Sequence, residues 1–115
     1  MYIYDKANEL ARLIQESAEY KAYKELKDKL YADDKTKALL TEYKKHQFEA
    51  QAAYLSGREP DAEAMEHLKK LGEVLQFNRE VTEFFSAEYR FNTMIGDIYK
   101  IIGEACDIDL GLLHD

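Results

Sequence analysis

Residues 78–105 read NREVTEFFSAEYRFNTMIGDIYKIIGEA, and the rest of the chain is organised around this stretch. It contains no proline, and its apolar residues recur at steps of three and four: Val81, Phe84, Phe85, Phe91, Met94, Ile95, Ile98, Tyr99, Ile102 and Ala105. Because side chains at that spacing lie on one side of an α-helix, the pattern predicts an amphipathic helix. Such a helix is roughly 40 Å long, which exceeds the width of a small domain. Another part of the chain, or another molecule, must therefore cover its apolar side.

Four shorter helices are predicted before this one from the same periodicity. They cover Tyr2–Glu16, Ala18–Ala32, Lys35–Leu55 and Asp61–Phe77. Ser17 and Asn78 stand where helix N-caps are expected. Asp33-Asp34 marks the start of the third helix, where the helix dipole favours carboxylates, and Gly57 suits the left-handed position after a helix end. The first two helices have an alternative, which is that they form a single kinked helix. The sequence thus predicts one all-α domain over residues 1–115, an elongated helical bundle of about five helices with a long C-terminal helix.

The third and fourth helices are predicted to form an antiparallel hairpin, because the segment between them is short. One face of that hairpin covers one side of the last helix. The last helix is also apolar on a second side, so a second copy of the chain is predicted to close it, as a homodimer or higher homo-oligomer. The alternative is that the first two helices cover this side within the monomer. The candidate interface residues are Phe84, Phe85, Tyr89, Met94, Tyr99, Leu110, Leu112 and Leu113.

Composition excludes several classes of protein. The 115 residues carry a net charge of −7, which disfavours direct binding to nucleic acid because the protein repels phosphate overall. The N-terminal residues lack the apolar core of a secretion signal, and no run is long enough to span a membrane. A single cysteine, Cys106, cannot form an intrachain disulfide and is compatible with a reducing compartment. A soluble cytoplasmic protein is expected.

The residues that usually carry catalysis or bind metals do not form a recognisable motif. Glu42 and His46 are four residues apart, as are Glu63 and His67, whereas di-iron helical bundles use a spacing of three. Both histidines are therefore interpreted as solvated surface residues, and no metal ligand, cofactor site or catalytic residue is assigned. No phosphate-binding loop or nucleophile motif occurs either. The sequence predicts a protein that is not an enzyme.

Three stretches together resemble a known family. They are A-x-x-L-A-x-L-I-x-x-S from Ala7 to Ser17, the acidic break at Asp33-Asp34, and P-x-x-E-x-M-E-x-L-x-x-L from Pro60 to Leu71. With the long aromatic-rich last helix, they resemble the YlbF/YmcA family of small helical bacterial proteins, and most closely its YheA-like branch. The resemblance covers essentially the whole chain.

The resemblance implies an all-α cytoplasmic protein without enzymatic activity. Characterised relatives act in a multiprotein complex that influences competence, sporulation and biofilm development, partly as adapters of an mRNA-cleaving ribonuclease. Some relatives have several C-terminal cysteines associated with iron–sulfur cofactors, but this chain has Cys106 alone. The expected function is a regulatory interaction protein with protein partners in such a complex. The alternative is a helical bundle that binds a ligand or metal between its helices.

Overall fold

The computed structural model describes residues 2–108. Within that range the chain forms five α-helices and no strand, as the periodicity predicts. The helices are α1 (Tyr2–Glu16), α2 (Ala18–Tyr31), α3 (Asp34–Leu55), α4 (Ala62–Gln76) and α5 (Arg79–Cys106). The last helix is the longest, with 28 residues. None of the helices between residues 2 and 108 combines the length and the apolar character that crossing a membrane requires.

Polar caps separate the helices at the predicted junctions. The Ser17 hydroxyl accepts a hydrogen bond from the Tyr20 backbone N–H at 3.1 Å, so α1 and α2 are two helices and not one kinked helix. The Asn78 side chain accepts from the backbone N–H of Glu80 at 3.0 Å at the start of α5. Gly57 follows α3 with φ of 79°, a left-handed conformation that costs least for glycine.

The chain divides into two compact units. The described parts of Met1–Glu25 and Phe84–Asp115 form the first, called here the terminal unit. The second, Leu26–Glu83, contains α3 and α4 and is called the hairpin unit. Both α2 and α5 contribute to each unit, because the divisions fall inside these two helices.

In the hairpin unit, α3 and α4 pack against each other as an antiparallel pair, which confirms the predicted hairpin. The buried apolar residues of this unit are Leu30, Leu40, Leu71, Leu75 and Val81. Gly72 of α4 lies where the Tyr43 ring approaches, and a Cβ atom at this glycine would stand 3.4 Å from Cε1 of that ring. The glycine thus marks the close approach of an aromatic side chain from α3.

In the terminal unit, aromatic rings of α2 pack on Phe84 and Phe91 in the first half of α5. The Tyr23 ring stacks on Phe91 and Phe84, with centroids 4.9 and 5.8 Å apart. Tyr20 also contacts Phe91, at 5.6 Å between centroids. Phe84 has no exposed surface as a result of its packing. The monomer itself therefore covers the long helix at Phe84 and Phe91, whereas Tyr89 on its second side is 73% exposed.

The N-cap of α3 gives stability that depends on pH. The Thr36 hydroxyl and the Thr36 backbone N–H both donate to the Asp33 carboxylate, at 2.5 and 3.1 Å. These hydrogen bonds, the hydroxyl's first, hold the pKa of Asp33 below its ordinary value of 3.8. Because the pKa of Asp33 is lower in the folded state than in the unfolded state, the cap stabilises the fold at pH values above the ordinary pKa. This stabilisation is lost as the pH falls through the pKa of the folded state.

We therefore expect Asp33→Ala to lower the melting temperature at neutral pH, with a difference from the wild type that shrinks as the carboxyl becomes protonated. Thermal unfolding followed by circular dichroism across acidic and neutral pH measures this difference. Asp34→Ala is the control, because Asp34 lies inside the first turn of α3, whereas Asp33 is the N-cap of this helix. A difference that stayed constant down to the acidic end would contradict the role of the Asp33 carboxylate.

Candidate functional site

The terminal unit exposes a large amount of apolar surface on α1 and α5. On α5, Tyr89 is 73% exposed, Ile101 68%, and Tyr99 and Ile102 45% each. These values are high for large apolar side chains on a helix that buries Phe84 completely. Clusters of exposed apolar side chains on a small protein indicate a surface that another molecule covers.

The predicted interface residues differ in their exposure in the structure. Tyr89 and Tyr99 are exposed, and Phe85 and Met94 are half-buried. Phe84 is completely buried in the single chain and so offers no surface to a partner. Leu110, Leu112 and Leu113 lie outside the described residues.

One stripe of α5 is covered at one end and open at the other. Ile102 comes eighteen residues after Phe84, which is five turns at about 3.6 residues per turn, so both side chains lie on the same side of the helix. Yet Phe84 is 0% exposed and Ile102 is 45% exposed. Tyr99 lies one turn before Ile102 and is exposed to the same extent. We call Tyr99 and Ile102 the open stripe.

Helix α1 adds to the exposed apolar surface of the terminal unit. Its sequence alternates apolar and polar residues at helical spacing, but none of its 15 residues is buried. Ile3 is 73% exposed, Leu13 57% and Leu10 37%. An amphipathic helix normally gains its stability by burying its apolar side, so α1 lacks a cover in the described chain.

A second candidate site lies in the hairpin unit, where three polar side chains meet across α3 and α4. His67 of α4 donates from Nε2 to Glu42 Oε1 of α3 at 2.8 Å. His46, one turn after Glu42, places its Nε2 at 3.8 Å from the same oxygen. The centroids of the two imidazole rings are 4.9 Å apart, and the ring planes are almost perpendicular, at 84°. We call Glu42, His46 and His67 the histidine cluster.

The electrostatics of this cluster follow from its contacts and burial. The hydrogen bond from His67 holds the pKa of Glu42 below its ordinary value. Glu42 and His67 have side chains that are 46% and 49% exposed, whereas His46 is 22% exposed. The Nδ1 atom of His46 is buried and has no hydrogen-bond partner. The nearest carboxylate to it is Glu49, whose Oε2 lies 3.7 Å away, beyond hydrogen-bonding distance.

Open space borders the cluster on both sides of His46. A wide groove of about 600 Å³ is lined by Glu42, His46 and residues of the first half of α3. A smaller cavity of about 290 Å³ lies between His46, the second half of α3 and the Arg58–Asp61 connection. Water and small ions can therefore reach the cluster.

The sequence interpretation of both histidines as solvated surface residues holds for His67, which is 49% exposed, whereas His46 is only 22% exposed. That interpretation compared each histidine only with a glutamate on its own helix, Glu42 with His46 and Glu63 with His67. The structure pairs Glu42 with His67 across the hairpin instead. A signal was available, because His46 and His67 lie at nearly equal separations from the turn at Ser56-Gly57, and antiparallel helices bring such positions together.

Comparison with known sequences agrees with the helical architecture. The profile described as "Control of competence regulator ComK, YlbF/YmcA" matches residues 3–107. The chain belongs to the YlbF/YmcA family. This match extends over nearly all of the described residues, so it includes both the open stripe and the histidine cluster. By its description the family is a regulatory one, and it indicates no enzymatic activity.

Several curated relatives of this family member are bacterial UPF0342 proteins. One from Symbiobacterium thermophilum is 38% identical over 108 residues, which are 94% of this chain and 96% of the relative. Another from Halothermothrix orenii is 36% identical over 96% of this chain and 93% of its own length. A third from Streptococcus gordonii is 39% identical, covering 89% of this chain and 91% of the relative. Assignment to the YheA-like branch stays a prediction.

Proposed function

We propose that this protein is a non-enzymatic regulatory protein of the bacterial cytoplasm, which acts as a homodimeric adapter within a complex of other proteins. The observation that carries the proposal is the open stripe. The chain buries this side of α5 completely at Phe84 and leaves it open at Tyr99 and Ile102. The regulatory description of the family supports the same role.

A second copy of the chain is the occupant that fits the open stripe. The stripe continues, on the same helix and the same side, an apolar core that this chain already closes with its own aromatic rings. In a symmetric dimer the same side chains meet from both copies, so an apolar helix face is complementary to itself. The exposed face of α1 belongs to the same unit and enlarges the apolar area available to the interface.

The family match also supports treating the chain as a single domain. It runs without interruption through both compact units, and α2 and α5 pass from one unit into the other. Direct binding to nucleic acid has no part in the proposal, because the net charge of −7 opposes it.

Affinity capture from native lysate tests the adapter role. Tagged wild-type protein is expected to retain specific protein partners, identified by mass spectrometry. Ile102→Glu is expected to lose them, because it introduces a carboxylate into the open stripe and removes the dimer. The control is Val74→Glu, since Val74 of α4 is also an aliphatic residue and is 54% exposed.

Two results would contradict the proposal. If the wild type retained no specific protein, the proposal of a regulatory complex would be wrong. Equal recovery with Ile102→Glu would show that the partners do not require the open stripe. Val74→Glu is expected to retain the same partners as the wild type, which shows that added charge alone does not release them.

A further inference from the structure

We propose that the histidine cluster is a binding site for a divalent transition-metal ion of the zinc class. Glu42, His46 and His67 each offer one ligand atom, and these atoms all lie within 4.8 Å of one another. All three residues belong to the hairpin unit, on the two helices that pack directly on each other. The inference rests on this geometry and is independent of the adapter role.

The distances fit tetrahedral coordination after small side-chain rotations. Zinc–nitrogen and zinc–oxygen bonds of about 2.0–2.1 Å place neighbouring tetrahedral ligand atoms roughly 3.3 Å apart. The two distances at Glu42 Oε1, 2.8 Å to His67 and 3.8 Å to His46, lie on either side of that value. At these two pairs the ligand atoms need to shift by about half an ångström. The nitrogens of the two histidines, which lie within 4.8 Å of each other, approach further by rotation of the side chains.

The donor set selects the class of metal. Two imidazole nitrogens and one carboxylate oxygen suit zinc, cobalt, nickel and copper, whereas magnesium and calcium prefer oxygen ligands alone. Glu42 and His67 have side chains that are about half exposed, and Glu42 lines the wide groove. A water molecule can thus complete the coordination from the solvent side, as in sites with three protein ligands.

The surroundings of His46 provide a second, independent indication. Its Nδ1 is a buried polar atom without a hydrogen-bond partner, which is uncommon in folded proteins. If Nε2 binds a metal, Nδ1 carries the proton and points towards the Glu49 carboxylate, whose Oε2 lies 3.7 Å away. A carboxylate that accepts from a metal-bound histidine is a common arrangement that orients the ring and raises its affinity for the metal.

Titration of the metal-free protein with Zn²⁺, followed by isothermal calorimetry, tests the site. One ion per chain is expected, and His67→Ala and Glu42→Gln are each expected to weaken binding by at least ~10-fold. Glu49→Gln keeps all three ligands and is expected to weaken binding by about 10-fold. With Co²⁺ as the probe, the visible absorption should show four-coordinate geometry in the wild type and lose it in His67→Ala.

Two matched controls separate this cluster from incidental binding. Glu63→Gln removes the glutamate four residues before His67 on the same helix, and His114→Ala removes a histidine outside the described residues. Both are expected to bind Zn²⁺ as the wild type does. Circular dichroism shows whether each variant folds, and Glu42 and His67 are exposed enough for their variants to do so.

Three outcomes would contradict the proposed metal site. They are a wild type that binds no Zn²⁺, a His67→Ala variant that binds as tightly as the wild type, and a stoichiometry of half an ion per chain. The last result would mean that two chains share the ion. Equal loss of binding in His67→Ala and His114→Ala would equally point to nonspecific histidine binding.

Discussion

Phe84→Ala is expected to lower the free energy of unfolding by about 3–5 kcal/mol, the usual cost of truncating a buried phenylalanine. Phe84 is 0% exposed, and its ring stacks on Tyr23 with planes at 20° and centroids 5.8 Å apart. Alanine would remove this aromatic contact and leave a cavity that the helices can only partly fill. Because a domain of this size has a total stability of about 5–15 kcal/mol, the variant is expected to be close to unfolding.

Urea denaturation followed by far-ultraviolet circular dichroism measures this loss. Phe48→Ala is the matched control, because Phe48 of α3 is the same residue type but is 72% exposed. Its free energy of unfolding is expected to stay within about 0.5 kcal/mol of the wild type. If the two variants lost the same stability, Phe84 would not be the core residue that its burial indicates.

The secondary structure could be predicted from the sequence because local interactions determine it. The spacing of apolar residues predicts all five helices, and the side chains of Ser17 and Asn78 cap helices where predicted. Asp33 caps α3 at the predicted acidic start. The predicted α1 has the same limits as the observed one, and the other helices differ from their predictions by one residue at some ends. Helix ends of this kind depend on hydrogen bonds over three or four residues, which a single sequence contains.

Burial was harder to predict, because it depends on which helix packs on which side. Phe84 and Tyr99 both fit the apolar pattern of α5, and both were predicted at an interface. The structure buries the first against Tyr23 and leaves the second exposed. Periodicity identifies the apolar side of a helix but does not show where along its length that side is covered.

The histidine cluster could not be recognised from spacing along one helix. Its three residues come from two helices, so the contact of Glu42 with His67 depends on how α3 and α4 are aligned. The hairpin itself was predicted, but the rotation of each helix about its axis decides which side chains face each other. That rotation is set by packing, including the approach of Tyr43 to Gly72.

Ile102→Glu is expected to convert a homodimer into a monomer. In the single chain Ile102 is 45% exposed, so a carboxylate there reaches water and the fold is retained. In the proposed dimer the same position is buried, and an unpaired charge in an apolar contact is costly. Because a symmetric interface contains the substitution twice, self-association is expected to weaken by at least ~100-fold.

Analytical ultracentrifugation at micromolar concentration decides this. The wild type is expected to sediment as a particle of twice the 13.4 kDa chain mass, and Ile102→Glu as a single chain. Val74→Glu, at a similarly exposed aliphatic residue in the hairpin unit, is expected to remain dimeric, which excludes a general effect of added charge. A monomeric wild type, or a dimeric Ile102→Glu variant, would show that a second copy does not cover the open stripe.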